Sequence, residues 1–219
     1  MIFHYIEKNL TGQAQETAMA LLFLMDANEE KYDPEILPLE ERFRQMHPQS
    51  KWQPLIDKAI AKNKAFNQAE IPDYIHFPNV DKAKTLKEVT DLYKGKVIFM
   101  DIWATWCGPC RESFAHVKPL QEYAKKNDIV LLYLSIDRPD DDAKWRKMAT
   151  HYDLMGEHVR AQEAFKKEIY DTFGNERGAL SIPRCVIIGK DGKVKFAWAA
   201  SPENMEELAS QLAEASKEE

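Results

Sequence analysis

Hydrophobic and polar positions divide the chain into two parts with different periodicities. Up to about residue 70, apolar residues recur at helical spacing and no alternating strand pattern occurs. This pattern predicts three helices, Glu16–Asp26, Glu35–Met46 and Lys51–Ala69. The last two follow Pro34 and Pro48, and proline favours the start of a helix. Residues 1–70 are therefore predicted to form a helical segment.

Ile71-Pro72 and Phe77-Pro78 end this helical pattern, and we place a domain boundary near Glu70. Beyond the boundary, strand patterns alternate with helical ones. The predicted elements are helix Lys82–Lys94, strand Val97–Trp103, helix Pro109–Lys126, strand Ile129–Ile136, helices Asp140–Tyr152 and Glu157–Phe173, strands Arg184–Ile188 and Val194–Trp198, and a helix from Ser201 to Ala215. This order predicts an α/β fold with a mixed central sheet flanked by helices over residues 71–219.

Composition and charge narrow the class of function. The chain has 219 residues, 44% of them hydrophobic, which is enough for a full core. Its net charge of -6 disfavours nucleic acid or an anionic membrane surface as the main partner, because both bind basic patches. The sequence contains no apolar run long enough to span a membrane and no signal peptide. Three cysteines are too few for a disulfide framework.

Two of these cysteines stand in Trp106-Cys107-Gly108-Pro109-Cys110, which follows a predicted strand and opens a helical pattern. A helix N-terminus offers unpaired N–H groups and a partial positive charge, so Cys107 is predicted to be a reactive thiolate. Residues three apart on a helical turn lie close enough to form a disulfide. The alternatives are two inert buried cysteines or half of a structural zinc site, which the spacing of the other Cys and His residues does not complete.

Asp101 lies two residues before Trp103 in the same predicted strand, and therefore on the same face of the sheet. A carboxylate in so apolar a strand is costly to ionise, so its pKa is predicted to rise toward the range of a general base. The alternative is a solvated position at the edge of the sheet. Cys185, within a predicted strand, is expected to pack as a small hydrophobic residue rather than to act as a third redox thiol.

The segment from Val97 to Cys110, followed about seventy positions later by Ile182-Pro183, resembles the thioredoxin superfamily, and the run Trp-Ala-Thr-Trp-Cys-Gly-Pro-Cys-Arg-Glu-Ser-Phe at 103–114 is similar to its TlpA- and ResA-like branch. Three further features are similar to its TlpA- and ResA-like thiol-disulfide oxidoreductases: Ile71-Pro72-Asp73-Tyr74, Gly95-Lys96-Val97, and the long insertion after Ser135-Ile136-Asp137. The resemblance covers residues 71–219. It departs at Ser113 and Ala115, where many ResA-like sequences carry Glu and Pro, which puts any specificity based on those residues in doubt.

The resemblance implies a role for each site residue. Cys107 attacks a protein disulfide, Cys110 resolves the mixed disulfide, and Asp101 helps to deprotonate Cys110. It also implies a cis peptide at Ile182-Pro183 that faces the sulfurs. The residues expected to contact substrate are Trp106, Gly108, Pro109, Ile182 and Pro183. No metal and no cofactor other than the Cys107–Cys110 disulfide is expected. The implied partners are protein thiols and disulfides, and a membrane thiol donor.

The resemblance also bears on residues 1–70 and on location. Larger bacterial members of this branch carry a helical segment before the domain and begin with a secretion or lipoprotein signal. Residues 1–70 are thus expected to be the C-terminal part of a larger region, in an extracytoplasmic parent protein that is periplasmic or attached to the envelope; a cytoplasmic location stays open. Two other functions stay open as well. One is a binding module docked through residues 1–70, and the less favoured one is a thiol peroxidase, whose Thr is replaced here by Ala104.

Overall fold

In the computed structural model, residues 2–80 and 82–217 are described, and the chain divides into two compact units, Met1–Glu70 and Ile71–Glu219. Within its described residues, the first unit consists of helices α1 (Ile2–Asn9), α2 (Gly12–Asn28), α3 (Leu37–Met46) and α4 (Gln53–Gln68). The sequence prediction missed α1, a short helix that buries only Phe3 and Ile6.

Aromatic side chains hold the first unit together. The ring of Phe23 packs edge-on against Phe3 and against Phe43, with centroids 6.2 and 5.9 Å apart. One buried polar contact accompanies them, because the amide of Asn63 donates a hydrogen bond of 3.0 Å to the carboxylate of Asp26. Burying these three rings is a large part of what stabilises four short helices against chain entropy.

The second unit is built on a six-stranded sheet. Its strands are β1 (Ile75–His76), β2 (Ile98–Trp103), β3 (Val130–Ser135), β4 (Gly156–Arg160), β5 (Arg184–Ile188) and β6 (Val194–Phe196), in the order β1-β4-β3-β2-β5-β6. The first four strands in this order, β1, β4, β3 and β2, are parallel to one another. β5 runs antiparallel to β2, and β6 runs antiparallel to β5. All six residues of β2 are buried, which makes it the central strand.

Five of the described helices of this unit lie between strands in the chain, and a sixth follows the last strand. They are α5 (Leu86–Thr90), α6 (Gly108–Ser113), α7 (Val117–Asn127), α8 (Asp142–His151), α9 (Glu163–Phe173) and α10 (Met205–Ala215). A mixed sheet with flanking helices in this order is the thioredoxin-like fold, as the sequence resemblance implied.

The predicted helix Glu157–Phe173 is wrong in its first part. Residues Gly156–Arg160 form β4, and helix α9 begins only at Glu163. β4 pairs on one side with β3 and on the other with the two residues of β1, neither of which is local in sequence. Tertiary pairing therefore overrides the local preference for helix.

Two other predicted helices differ from the observed ones in length or continuity. Lys82–Lys94 is reduced to α5 and a 3-10 turn, Asp91–Tyr93. The predicted helix Pro109–Lys126 is divided into α6 and α7 by a 3-10 turn, Phe114–His116. The division falls before Pro119, which cannot donate a backbone hydrogen bond to the carbonyl of Ala115.

Candidate active site

The disulfide lies where the central strand passes into helix α6. Cys107 is the N-cap of α6, with an extended backbone at φ -84° and ψ 98°, and Pro109 occupies the first turn, where no N–H donor is needed. Cys107 and Cys110 form a disulfide with Cα atoms 5.3 Å apart. The Cys107 sulfur also accepts a hydrogen bond of 3.2 Å from the backbone N–H of Cys110. A negative charge on this sulfur would be stabilised in the same position.

The two sulfurs differ in access. Cys110 is fully buried, whereas Cys107 is 5% exposed, less than its position at a helix end suggested. Trp106 beside it is 61% exposed, and a Cβ atom at Gly108 would meet no atom within 4 Å. The space over Gly108 is therefore open, and Cys107 is the sulfur nearer to solvent.

A buried carboxylate that the sequence analysis did not single out holds the loop before the disulfide. Asp137 accepts two hydrogen bonds from the N–H of Thr105, at 3.1 and 3.0 Å, and one from its hydroxyl at 2.8 Å. The hydroxyl of Ser135 donates a further one at 2.8 Å. Burial raises the pKa of Asp137, while the bonds from Ser135 and Thr105 act in the opposite direction. The sequence carries one signal for this role of Asp137, because Ser135 and Asp137 are two polar residues at the end of an apolar strand.

Asp101 is buried in β2, with 1% of its surface exposed. Desolvation raises its pKa from 3.8 to about 7. Within residues 2–80 and 82–217, no group donates a hydrogen bond to its Oδ1 atom. The prediction of a buried carboxylate with a raised pKa is confirmed, and a solvated edge position is excluded.

Asp101 belongs to a row of polar side chains that crosses four strands. Its register partners are Cys185 on β5 and Tyr133 on β3, and the partner of Tyr133 is His158 on β4. Register partners point to the same face of a sheet, and the rings of Tyr133 and His158 stack with centroids 4.9 Å apart. The free thiol of Cys185 is buried, as the sequence analysis expected.

Burial keeps the neighbours of Asp101 uncharged. It raises the pKa of Tyr133 and of Cys185, and it lowers the pKa of His158 to about 4. Among the described residues, none forms a hydrogen bond of ordinary geometry with the Tyr133 hydroxyl, although Gln121 is near enough to influence its pKa. Asp101 is thus the member of this row that changes charge near neutral pH.

The face that carries this row is also the face that the disulfide-bearing segment covers. Trp103 lies on it two residues after Asp101, and its ring packs edge-on against Phe114 at 5.2 Å. Phe114 directly follows α6, and its ring also packs against Tyr133. Asp101 and the fully buried Cys110 are therefore in the same layer, between the sheet and α6.

The Ile182-Pro183 bond is cis, and both residues are half-buried. They directly precede β5, whose first residue, Arg184, pairs with Ile102 near the end of β2. The sheet therefore brings Ile182-Pro183 to the end of β2 at which the disulfide loop begins. Ile182-Pro183 and the disulfide loop thus lie at the same end of two neighbouring strands, whereas Asp101 lies in the interior of β2.

Neither a metal cluster nor a membrane span is found in the described parts of the chain. No group of three or more His, Cys, Asp or Glu side chains among residues 2–80 and 82–217 could hold a metal ion. None of the helices formed by these residues is both long and apolar enough to cross a membrane.

A disulfide at the start of the helix after the central strand, with a cis-proline at the same end of the neighbouring strand, is typical of a thioredoxin-like domain. The Redoxin family model matches residues 62–212, and the chain belongs to this family. It is similar to the thiol-disulfide oxidoreductase ResA of Bacillus thuringiensis, with 29% identity over 127 residues, 57% of this chain and 65% of ResA. It is also similar to the thiol:disulfide interchange protein CycY of Rhizobium leguminosarum, with 25% identity over 138 residues. That match covers 59% of this chain and 68% of CycY.

The chain thus spans 65% of the length of the Bacillus relative. Among solved structures, it is similar to the crystal structure of a candidate thiol-disulfide oxidoreductase from Bacteroides vulgatus, with 26% identity and a TM-score of 0.48. That match covers 58% of this chain and 83% of the Bacteroides chain. Together with the sequence motifs, the family and the ResA relatives make this chain a ResA-like member of the thioredoxin superfamily.

The raised pKa of Asp101 predicts a pH-dependent stability. An acid whose pKa is higher in the folded state than in the unfolded state destabilises the fold as pH rises from about 4 to 7, and the penalty is constant above that range. We expect Asp101→Asn, with the disulfide formed, to be more stable than wild type by up to roughly 4 kcal/mol at pH 8 and by much less at pH 4. Denaturant unfolding across this range measures the difference.

Asp140→Asn removes the same charge from an exposed position and serves as the control, because it should leave the unfolding free energy nearly unchanged. If Asp101→Asn were no more stable than wild type at pH 8, or if its advantage did not change between pH 4 and 7, Asp101 would not be a buried carboxylate with a raised pKa.

Proposed function

We propose that the chain is a thiol-disulfide oxidoreductase whose Cys107–Cys110 pair reduces or exchanges disulfides of other proteins. The observation that carries the proposal is the position of the pair, with Cys107 as the N-cap of α6 and Cys110 buried in the first turn behind it. This arrangement provides one sulfur for attack and a second sulfur, inaccessible from outside, for resolution.

The reaction balances in two exchange steps. The Cys107 thiolate attacks one sulfur of a substrate disulfide, a mixed disulfide forms, and the other substrate sulfur leaves as a thiolate. Cys110 then loses its proton and attacks the Cys107 sulfur, which releases the second substrate sulfur. The substrate gains two electrons and the protein is left with the Cys107–Cys110 disulfide. A thiol donor must reduce that disulfide before the next cycle.

Asp101 is proposed as the group that accepts the proton of Cys110. Its pKa of about 7 suits an acceptor that works near neutral pH, and it lies in the layer between the sheet and α6. Its uncharged neighbours Tyr133 and Cys185 offer no competing base. Proton transfer from a thiol to a buried carboxylate also leaves the total charge of the layer unchanged.

The substrate is proposed to bind over the disulfide edge of the sheet. Trp106 presents an exposed ring, Pro109 is exposed, and a Cβ atom at Gly108 would meet no atom within 4 Å. The backbone of Ile182, next to Pro183, can pair with an extended substrate segment as one strand pairs with another. The exposed ring of Trp106 then contacts the substrate without requiring a particular substrate sequence.

The remaining proposals concern the setting of this chemistry. All proposed site residues lie in 71–219, so this part acts as the redox domain and residues 1–70 as an accessory helical domain. ResA-like proteins suggest an extracytoplasmic location and a membrane-bound thiol donor. Retention of both cysteines and of Asp101 argues against a pure binding module, and Ala104 in place of Thr argues against a thiol peroxidase.

The two-step cycle predicts different outcomes for the three cysteines. Cys107→Ser should abolish the reduction of an insulin-type disulfide, because no thiolate remains to attack. Cys110→Ser should stop at the first step and accumulate a mixed disulfide between Cys107 and substrate, which mass mapping identifies. Cys185→Ala is the control, because it removes the third thiol without placing a hydroxyl donor beside Asp101, and it should reduce the disulfide at the wild-type rate. Activity in Cys107→Ser, or a mixed disulfide through Cys185, would contradict the assignment.

The proposed role of Asp101 predicts an effect on one step only. Asp101→Asn should slow resolution of the mixed disulfide, on the order of 10²-fold or somewhat less, while formation of the mixed disulfide stays near the wild-type rate. Asn cannot accept the proton, and water replaces it only partly. Rapid quenching followed by mass analysis separates the two steps. If each step proceeded at the same rate in Asp101→Asn as in the wild-type protein, Asp101 would have no role in the mechanism.

A further inference from the structure

Arg184 is a buried cation. It is the first residue of β5, directly after Pro183, and only 4% of its surface is exposed. Its Nη1 atom donates a hydrogen bond of 3.3 Å to the carbonyl of Ala197, whereas its Nε–H has no acceptor. In the described parts of the chain no carboxylate lies within ion-pair distance of it. An uncompensated buried guanidinium is costly, so it needs an explanation.

Trp198 compensates part of this cost without using the hydrogen-bond donors of Arg184. The central carbon of the guanidinium lies 3.1 Å from the centroid of the indole ring. The ring contacts the flat face of the guanidinium, so this contact uses none of its in-plane N–H donors, of which Nε is buried and Nη1 donates to Ala197. Trp198 itself is 64% exposed, so this pair stands at the protein surface rather than deep in the core.

A cavity of about 310 Å³ adjoins this pair. Its lining includes Phe173, Asn175, Leu180, Ser181, Arg184 and Trp198, and none of the lining residues is acidic. The loop that forms one wall is held by the Asn175 side chain, which accepts hydrogen bonds from the N–H groups of Arg177 and Ala179. Ser181 at the end of this loop precedes the Ile182-Pro183 bond. The cavity is therefore positively charged, partly apolar, and adjacent to the proposed substrate edge.

We propose that this cavity is a specificity subsite that binds a carboxylate of the disulfide substrate, an Asp or Glu side chain near the attacked cysteine. The inference rests on the proposed function, which places the substrate strand beside Ile182. A carboxylate can accept a charge-assisted hydrogen bond from the guanidinium N–H groups that Ala197 does not engage, and it supplies the missing charge. The apolar walls at Phe173 and Leu180 suit the methylene groups of the same side chain.

The position of Arg184 on β5 separates this subsite from the redox chemistry. Arg184 and Cys185 are consecutive in a strand and point to opposite faces of the sheet. Cys185 joins the row of Asp101, whereas Arg184 faces away from it. The subsite therefore affects which substrate binds, and not the proton transfer at Cys110.

The test uses disulfide peptides that differ only in a Glu or a Gln, placed in turn at each of the positions flanking the cysteine. For the wild-type protein we expect kcat/KM to favour Glu over Gln by roughly tenfold at the best position, as for a hydrogen-bonded charge pair. Arg184→Gln should reduce this ratio to about one, and Arg184→Lys, which keeps the charge but loses the planar fork, should give an intermediate ratio. Lys193→Gln removes the same charge from the exposed β5–β6 turn and should keep the wild-type ratio.

Each outcome decides one claim. If the wild-type protein reduces the Glu and Gln peptides equally well at every position, the subsite is refuted while the proposed function stands. The same holds if a folded Arg184→Gln, or Arg184→Lys where the first does not fold, keeps the full preference. If the wild-type protein reduces none of the peptides, the proposed function fails, and the subsite fails with it.

Discussion

The carboxylate of Asp137 fixes the connection between the central strand and the helix that carries the disulfide. It accepts hydrogen bonds from the backbone and the hydroxyl of Thr105, two residues before Cys107, and a further one from Ser135. These bonds hold the loop against β3, and Cys107 lies at the N-terminus of α6 with an extended backbone. The reactive geometry thus depends on a buried group that takes no part in the exchange itself.

The central strand combines two demands that oppose each other. Its complete burial stabilises the sheet, yet it contains Asp101, whose ionisation is costly in that environment. The cost is the reason that Asp101 titrates near neutral pH, where a proton acceptor for a thiol is useful. On the neighbouring β5, Cys185 completes this row while Arg184 lies on the opposite face, so one pair of strands carries residues of both the proposed redox step and the proposed carboxylate subsite.

Much of the second unit could be predicted because its strands and its disulfide motif are local patterns. Strand β2, the break before the domain and the burial of Asp101 all follow from the order of apolar residues and prolines. β4 could not be predicted, since its strand state depends on pairing with residues far away in sequence. For the same reason the roles of Asp137 and Arg184 became apparent only when the fold brought Thr105 and Trp198 to them.

The central claim is that Cys107 is the attacking thiolate because it caps α6, while Cys110 is shielded behind it. Alkylation of the reduced protein between pH 5 and 9, with the modified cysteines mapped by mass, tests this claim most directly. The account predicts that Cys107 reacts first and that its reactivity develops below the pH of about 8.5 at which an ordinary thiol ionises. Equal labelling of Cys107 and Cys110 over the whole pH range would contradict it.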